Sequence, residues 1–112
     1  MKRISYAEHV FATDDHLADL VLEYARLLAR GDSSDTVTVP GRTQTGSIEP
    51  ITLLIGPASQ ITAWPEDGPF EADADVAAAV ADLEHRIRAR TTFIVQSDED
   101  PGPSLDEFDD LA

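Results

Sequence analysis

Apolar and polar positions recur along this chain in patterns that assign an element to most of its first 96 residues. Ile4-Ser5-Tyr6 alternates, and His9-Val10-Phe11-Ala12 carries a second apolar patch close behind, which predicts a tight N-terminal β-hairpin. Asp14 then offers a helix N-cap, and Asp15 is favourable in a first turn. Leu17, Leu20, Val21, Tyr24, Leu27 and Leu28 follow at helical spacing, with Gly31 where a C-terminal cap belongs. The spacing predicts a helix over residues 14–30.

Strand signals come next. Residues 35–40 carry Val37 and Val39 in alternation, residues 41–47 are a polar loop, and residues 49–55 end in Leu53-Leu54-Ile55. Gly56-Pro57-Ala58-Ser59 reads as a turn, and residues 60–64 as a third strand stopped by Pro65. The connections are too short for parallel crossovers, so an antiparallel meander is expected. Residues 65–72 are a loop rich in Pro, Gly and acids. Asp73 or Asp75 then caps a second helix whose apolar stripe is Val76, Val80, Leu83 and Ile87. Residues 91–95 are β-branched or aromatic and read as a last strand.

The order is β-β-α-β-β-β-α-β. It defines an α+β fold, a two-layer sandwich with two amphipathic helices on one face of a mostly antiparallel sheet. The expected core includes Leu20, Val21, Tyr24, Leu27, Val76, Val80, Leu83 and Ile87. From residue 97 the composition changes to seven acids, two prolines and no base, which predicts a disordered acidic tail over 97–112 behind a single domain over 1–96.

Composition narrows the function classes. The 112 residues suit one domain with a modest core. Absence of Cys excludes disulfides and thiolate metal sites, and absence of Asn excludes N-glycosylation. No apolar run approaches the roughly 20 residues a membrane span needs, and Glu8, Asp14 and Asp15 interrupt any secretory leader, so a cytoplasmic location is expected. The formal net charge of −14 argues against nucleic acid and anionic membrane and favours a protein partner with a basic surface. Lys2 is the sole lysine beside seven arginines, a balance that genome composition or salt adaptation gives without any special partner.

The Ile4 to Tyr6 hairpin, the helix opened by Asp14-Asp15, the Pro57-Ala58-Ser59 turn and the closing elements over 73–95 together resemble a group of short actinobacterial proteins of unknown function. The resemblance implies the same α+β fold over most of residues 1–96. Some of that group are labelled ATP-dependent DNA ligases. Ligase nucleotidyl transfer needs a Lys-x-Asp-Gly nucleophile, whereas Lys2 here is followed by Arg3-Ile4-Ser5. The resemblance therefore implies no activity.

Candidate chemistry is sparse. His9, His16 and His85 form no i, i+4 pair, and Asp15-His16 with Asp19 reads as a solvated helix start. Ser33 and Ser59 lie outside any Gly-x-Ser-x-Gly elbow and read as turn residues. Asp73-Ala74-Asp75 resembles a metal pair but serves equally as helix-start acids. Neither a catalytic set, a metal site nor a cofactor site is expected. Arg86, Arg88 and Arg90 complement a helix C-terminus, and Arg86 with Arg90 share a face able to hold one carboxylate or phosphate, including an acid of the tail. Trp64 and Phe70 flank a loop that looks exposed and are candidate partner anchors. In the tail, Leu105, Phe108 and Leu111 are candidate anchors for a partner groove.

The leading expectation is a small acidic protein-binding or regulatory module, not an enzyme, such as an inhibitor of a basic protein. A small hydrolase or ligand-binding enzyme using Asp15, His16 and Ser59 is the first alternative. A homodimeric accessory protein, paired through a sheet edge or helix face, is the second.

Overall fold

The computed structural model describes residues 1–98, with the backbone alone for residues 92–98. Strand β1 (Lys2–Tyr6) pairs antiparallel with β2 (His9–Thr13), and the register sets Ile4 opposite Phe11, both buried. The intervening turn holds Ala7 at φ 54°, a left-handed conformation that costs a side-chain-bearing residue. Replacing Ala7 with Gly is therefore expected to raise the unfolding free energy by about 0.5–1 kcal/mol, read as a higher urea midpoint at unchanged m-value.

Helix α1 (Asp15–Arg30) begins where expected, with the Asp14 carboxylate accepting the Leu17 amide at 3.1 Å. Its end is a Schellman closure. The Ser33 amide donates to Leu28 O at 2.9 Å and the Asp32 amide to Ala29 O at 3.2 Å. Gly31 is the cap residue, but the left-handed φ of 52° falls on Asp32. The inward stripe of Leu17, Leu20, Val21, Tyr24, Leu27 and Leu28 is buried, as its spacing requires.

Strand β3 (Asp35–Arg42) and β4 (Ile48–Ile55) form a long antiparallel ribbon closed by a tight loop, in which the Thr43 amide donates to Ser47 O at 2.9 Å. Its inner face places Val37 against Leu53, both in the core. The expected meander stops here. Strand β5 (Ile61–Pro65) leaves β4 and pairs with β1, so the five antiparallel strands are ordered β4-β3-β2-β1-β5. Pairing with β1 sets Ala63 beside Ile4 and Ile61 beside Tyr6, and both new side chains pack on the core. Had β5 stayed beside β4, the second edge of β1 would have lacked a partner.

The ribbon joins β2 only where Ala12 meets Arg42, at one end of the hairpin. At the other end the Tyr6 hydroxyl donates to Leu54 O. Contacts at both ends lay the ribbon across the hairpin, closing the core from a second side.

Helix α2 (Asp73–Asp98) departs from expectation at both ends. The Val76 amide donates to Ala72 O at 2.9 Å, so Ala72 holds the cap position and neither Asp73 nor Asp75 is the cap; both are first-turn acids facing the helix dipole. The last strand over 91–95 does not form, because the helix continues through it. No Gly or Pro stands between Pro69 and Pro101 to stop propagation, and that outweighs the β preference of Thr91 to Val95. The eighth element of the expected order is therefore absent, and the helix enters the acidic segment by two residues. Residues 99–112, which include Leu105, Phe108 and Leu111, lie outside the described residues.

The two helices pack on each other, and α2 also lies along β3. Ala79 and Leu83 are buried in the same core as Ile4, Phe11, Val21, Tyr24 and Ile55, with Val80 and Ile87 half-buried against it. Val76 is half-buried. The result is an α+β fold of one antiparallel sheet and two helices. Among the described residues, no helix is long and apolar enough to cross a membrane.

Candidate functional site

Where α2 lies beside β3, a polar clasp fixes its position. Arg86 donates from Nη1 to the Asp35 carboxylate at 2.7 Å and to Thr36 O at 3.0 Å, and from Nε to Asp82 at 3.1 Å. The Asp35 carboxylate also accepts from the Tyr24 hydroxyl, so three elements meet at one acid. Burial pushes the Asp35 carboxyl up, but hydrogen bonds from Tyr24, the Thr36 amide and Arg86 outweigh it and hold the group below the usual range. Burial and the Asp35 hydrogen bond raise the Tyr24 phenol, with Arg90 beside it acting the other way. The Asp82 hydrogen bond, helped by Asp35, raises Arg86 further above its ordinary value.

Beyond the clasp, toward the start of α2, helix and ribbon separate into a groove of about 480 Å³. One wall is the strand pair Thr38-Val39-Pro40 and Ile48-Glu49-Pro50, in which Pro40 stands opposite Pro50. The other is the α2 stripe Asp75, Ala78, Ala79 and Asp82, spaced to share one helix face. Ala78 and Ala79 keep the groove open, since longer side chains there would fill it. Three carboxylates and no base line it: Glu49, Asp75 and Asp82. Arg86 neutralises Asp82. Glu49 accepts only from the Ser47 hydroxyl at 2.7 Å, and neither Glu49 nor Asp75 has a cationic partner among the described residues.

The residues singled out from sequence fall elsewhere. Trp64 is 40% exposed on β5, whereas Phe70 is only 8% exposed. The expectation that Phe70 is a surface anchor is corrected: its loop is exposed, but the ring turns inward out of water. Arg86 and Arg90 do share a face, and the carboxylates that Arg86 holds are the protein's own Asp35 and Asp82. His16 faces Glu84 across the helix pair at 3.5 Å, and Asp19 pairs with Lys2 at 2.6 Å. The Ser59 hydroxyl oxygen accepts the Gly56 amide at 2.9 Å and so serves its turn. The structure therefore does not assemble Asp15, His16 and Ser59 into one site. Among the described residues no group of three or more His, Cys, Asp or Glu is placed to hold a metal ion.

The groove residues carried no motif. Ala78 and Ala79 read as helix formers, Pro40 as a strand end and Pro50 as part of a strand; only the packing of α2 along β3 makes them one surface. Comparison of the chain with protein-family models, with curated proteins and with solved structures finds no match.

Proposed function

We propose that this protein is a binding module for an electropositive segment of another protein, seated in the groove between α2 and the β3–β4 ribbon, and that it acts by occupying that segment, as an inhibitor or regulator would. The carrying observation is the pairing of an apolar floor with an acidic rim: Val39, Pro40, Ile48, Pro50, Ala78 and Ala79 below, Glu49 and Asp75 at the edge. Apolar contact supplies affinity, and the unpaired carboxylates select a segment whose apolar anchors are flanked by Lys or Arg. The volume falls within the roughly 300–1,000 Å³ typical of ligand sites and accommodates a few side chains. The chain's own residues 97–112, with seven acids and no base, have the wrong charge sign to fill it. The overall charge of −14 steers a basic partner inward from a distance.

A short fluorescein-labelled peptide with Leu anchors between Lys and Arg residues tests this reading by anisotropy. The peptide is expected to bind, and the double variant Glu49→Lys, Asp75→Lys is expected to weaken it by at least about tenfold at low salt. Equal affinity for an all-Lys peptide without anchors would contradict the role of the apolar floor. Unchanged affinity in the double variant would contradict the role of the rim.

A further inference from the structure

Beside the β3–β4 loop, the sheet carries a feature at odds with the acidity of the chain. Register places Trp64, Arg3, Ala12 and Arg42 side by side on four successive strands, so the four side chains share one face. Neighbouring strands lie about 4.8 Å apart, which separates the two arginine positions by about 10 Å with Ala12 between them. Ala12 is buried between them, and it lines a cleft of about 270 Å³ together with both arginines. Thr43, Gln44 and Gly46 of the β3–β4 loop form its side wall, and Glu66 stands at its rim. That loop is held by the Thr43 and Gly46 amides, bonded to Ser47 O and Thr43 O at 2.9 Å each, with Gly46 at φ 94°.

The two arginines differ in what they already hold. Arg3 binds Glu66 through Nε, which holds the Glu66 carboxyl below its usual range against the opposing effect of burial; Arg42 adds to the same field. Arg42 itself meets only the Met1 sulfur, at 3.7 Å, and has no carboxylate partner among the described residues. A thioether is a weak acceptor, so the guanidinium fork of Arg42 keeps most of its donors unspent. With Glu66 balanced by Arg3, Arg42 leaves the cleft one positive charge in excess, on a chain of net −14.

We infer that this cleft is an anion-binding site, in which Arg42 takes a phosphate or carboxylate oxyanion in bidentate fashion and Arg3 and Gln44 complete its contacts. A planar fork aimed at two oxygens is the recognition for which arginine is suited, and lysine cannot reproduce it. The cleft is smaller than a nucleotide pocket, so the ligand is a small oxyanion or the anionic end of a longer molecule. The site is independent of the groove reading, and either stands if the other fails.

Titration of the full chain with inorganic phosphate and with acetate, at ionic strength fixed by sodium chloride, tests the site. The readouts are the amide resonances of Thr43, Gln44 and Gly46 and the fluorescence of Trp64, the single tryptophan. Saturable shifts at these amides are expected for at least one of the two anions and not for chloride; whichever binds more tightly fixes the ligand class. Arg42→Gln is expected to weaken binding by about tenfold or more, and Arg42→Lys to restore only part of it. Shifts that chloride reproduces, or that persist unchanged in Arg42→Gln, would overturn the assignment. So would the absence of any saturable shift with both anions.

Discussion

Replacing Leu83 with Ala is expected to lower the unfolding free energy by about 2–5 kcal/mol. Leu83 is 1% exposed and, with Ala79, is one of the two buried apolar side chains of α2 among the described residues. The rest of the α2 stripe is half-buried or small, so neighbouring side chains have little means to close the resulting cavity. For a domain of this size each kcal/mol shifts Tm by about 4–8 °C, so a fall on the order of 10 °C or more is expected by calorimetry. The same substitution loosens one wall of the groove, so peptide affinity is expected to fall along with stability. A melt that hardly moves would show that α2 does not dock through this face.

The second large effect is expected at Asp35 and depends on pH. Its folded carboxyl lies below its usual range, because the hydrogen bonds from Tyr24, the Thr36 amide and Arg86 outweigh burial. A depressed carboxyl contributes stability that is fully present above its unfolded pKa of about 4 and is lost as pH falls through the folded value. Asp35→Asn is therefore expected to cost about 1–2 kcal/mol at pH 7, a figure kept low because Asp35 and Arg86 are each about a third exposed. Below pH 4 the gap between the wild-type protein and the variant is expected to narrow. Urea unfolding at pH 7 and pH 3 measures both. A gap that stays constant would remove the ionised carboxylate from the account of how α2 is held.

Local signals in the sequence were reliable where the chain contacts itself nearby. Helix α1 carries its own cap at Asp14, its own stripe and its own exit at Gly31, and it forms as those residues require. The first hairpin is equally self-contained. Misreadings arise where the outcome depends on distant partners. Strand β5 has the alternation of a third meander strand, but it joins β1, whose edge is open and whose Ile4 it covers. Residues 91–95 have strand propensity, yet they continue a helix begun at Asp73 and lacking a stop. Asp35 read as part of a loop-to-strand junction, because its partner Arg86 stands 51 residues away. The same holds for the groove: Asp75, Ala78 and Ala79 look like an ordinary helix start until β3 lies beside them. Phe70 shows the opposite error, since Pro and Gly neighbours mark an exposed loop without fixing where one ring points.

Chemical-shift mapping of the groove tests the central claim most directly. The full chain, labelled with ¹⁵N, is titrated with the Leu-anchored cationic peptide, and the amides of Thr38, Ile48, Glu49, Asp75, Ala78 and Ala79 are followed. The account predicts saturable perturbations concentrated on these residues, and their loss in Ala78→Leu, whose side chain fills the groove while α2 keeps its helix propensity. Perturbations scattered over the acidic surface without saturation, or undiminished in Ala78→Leu, would contradict it.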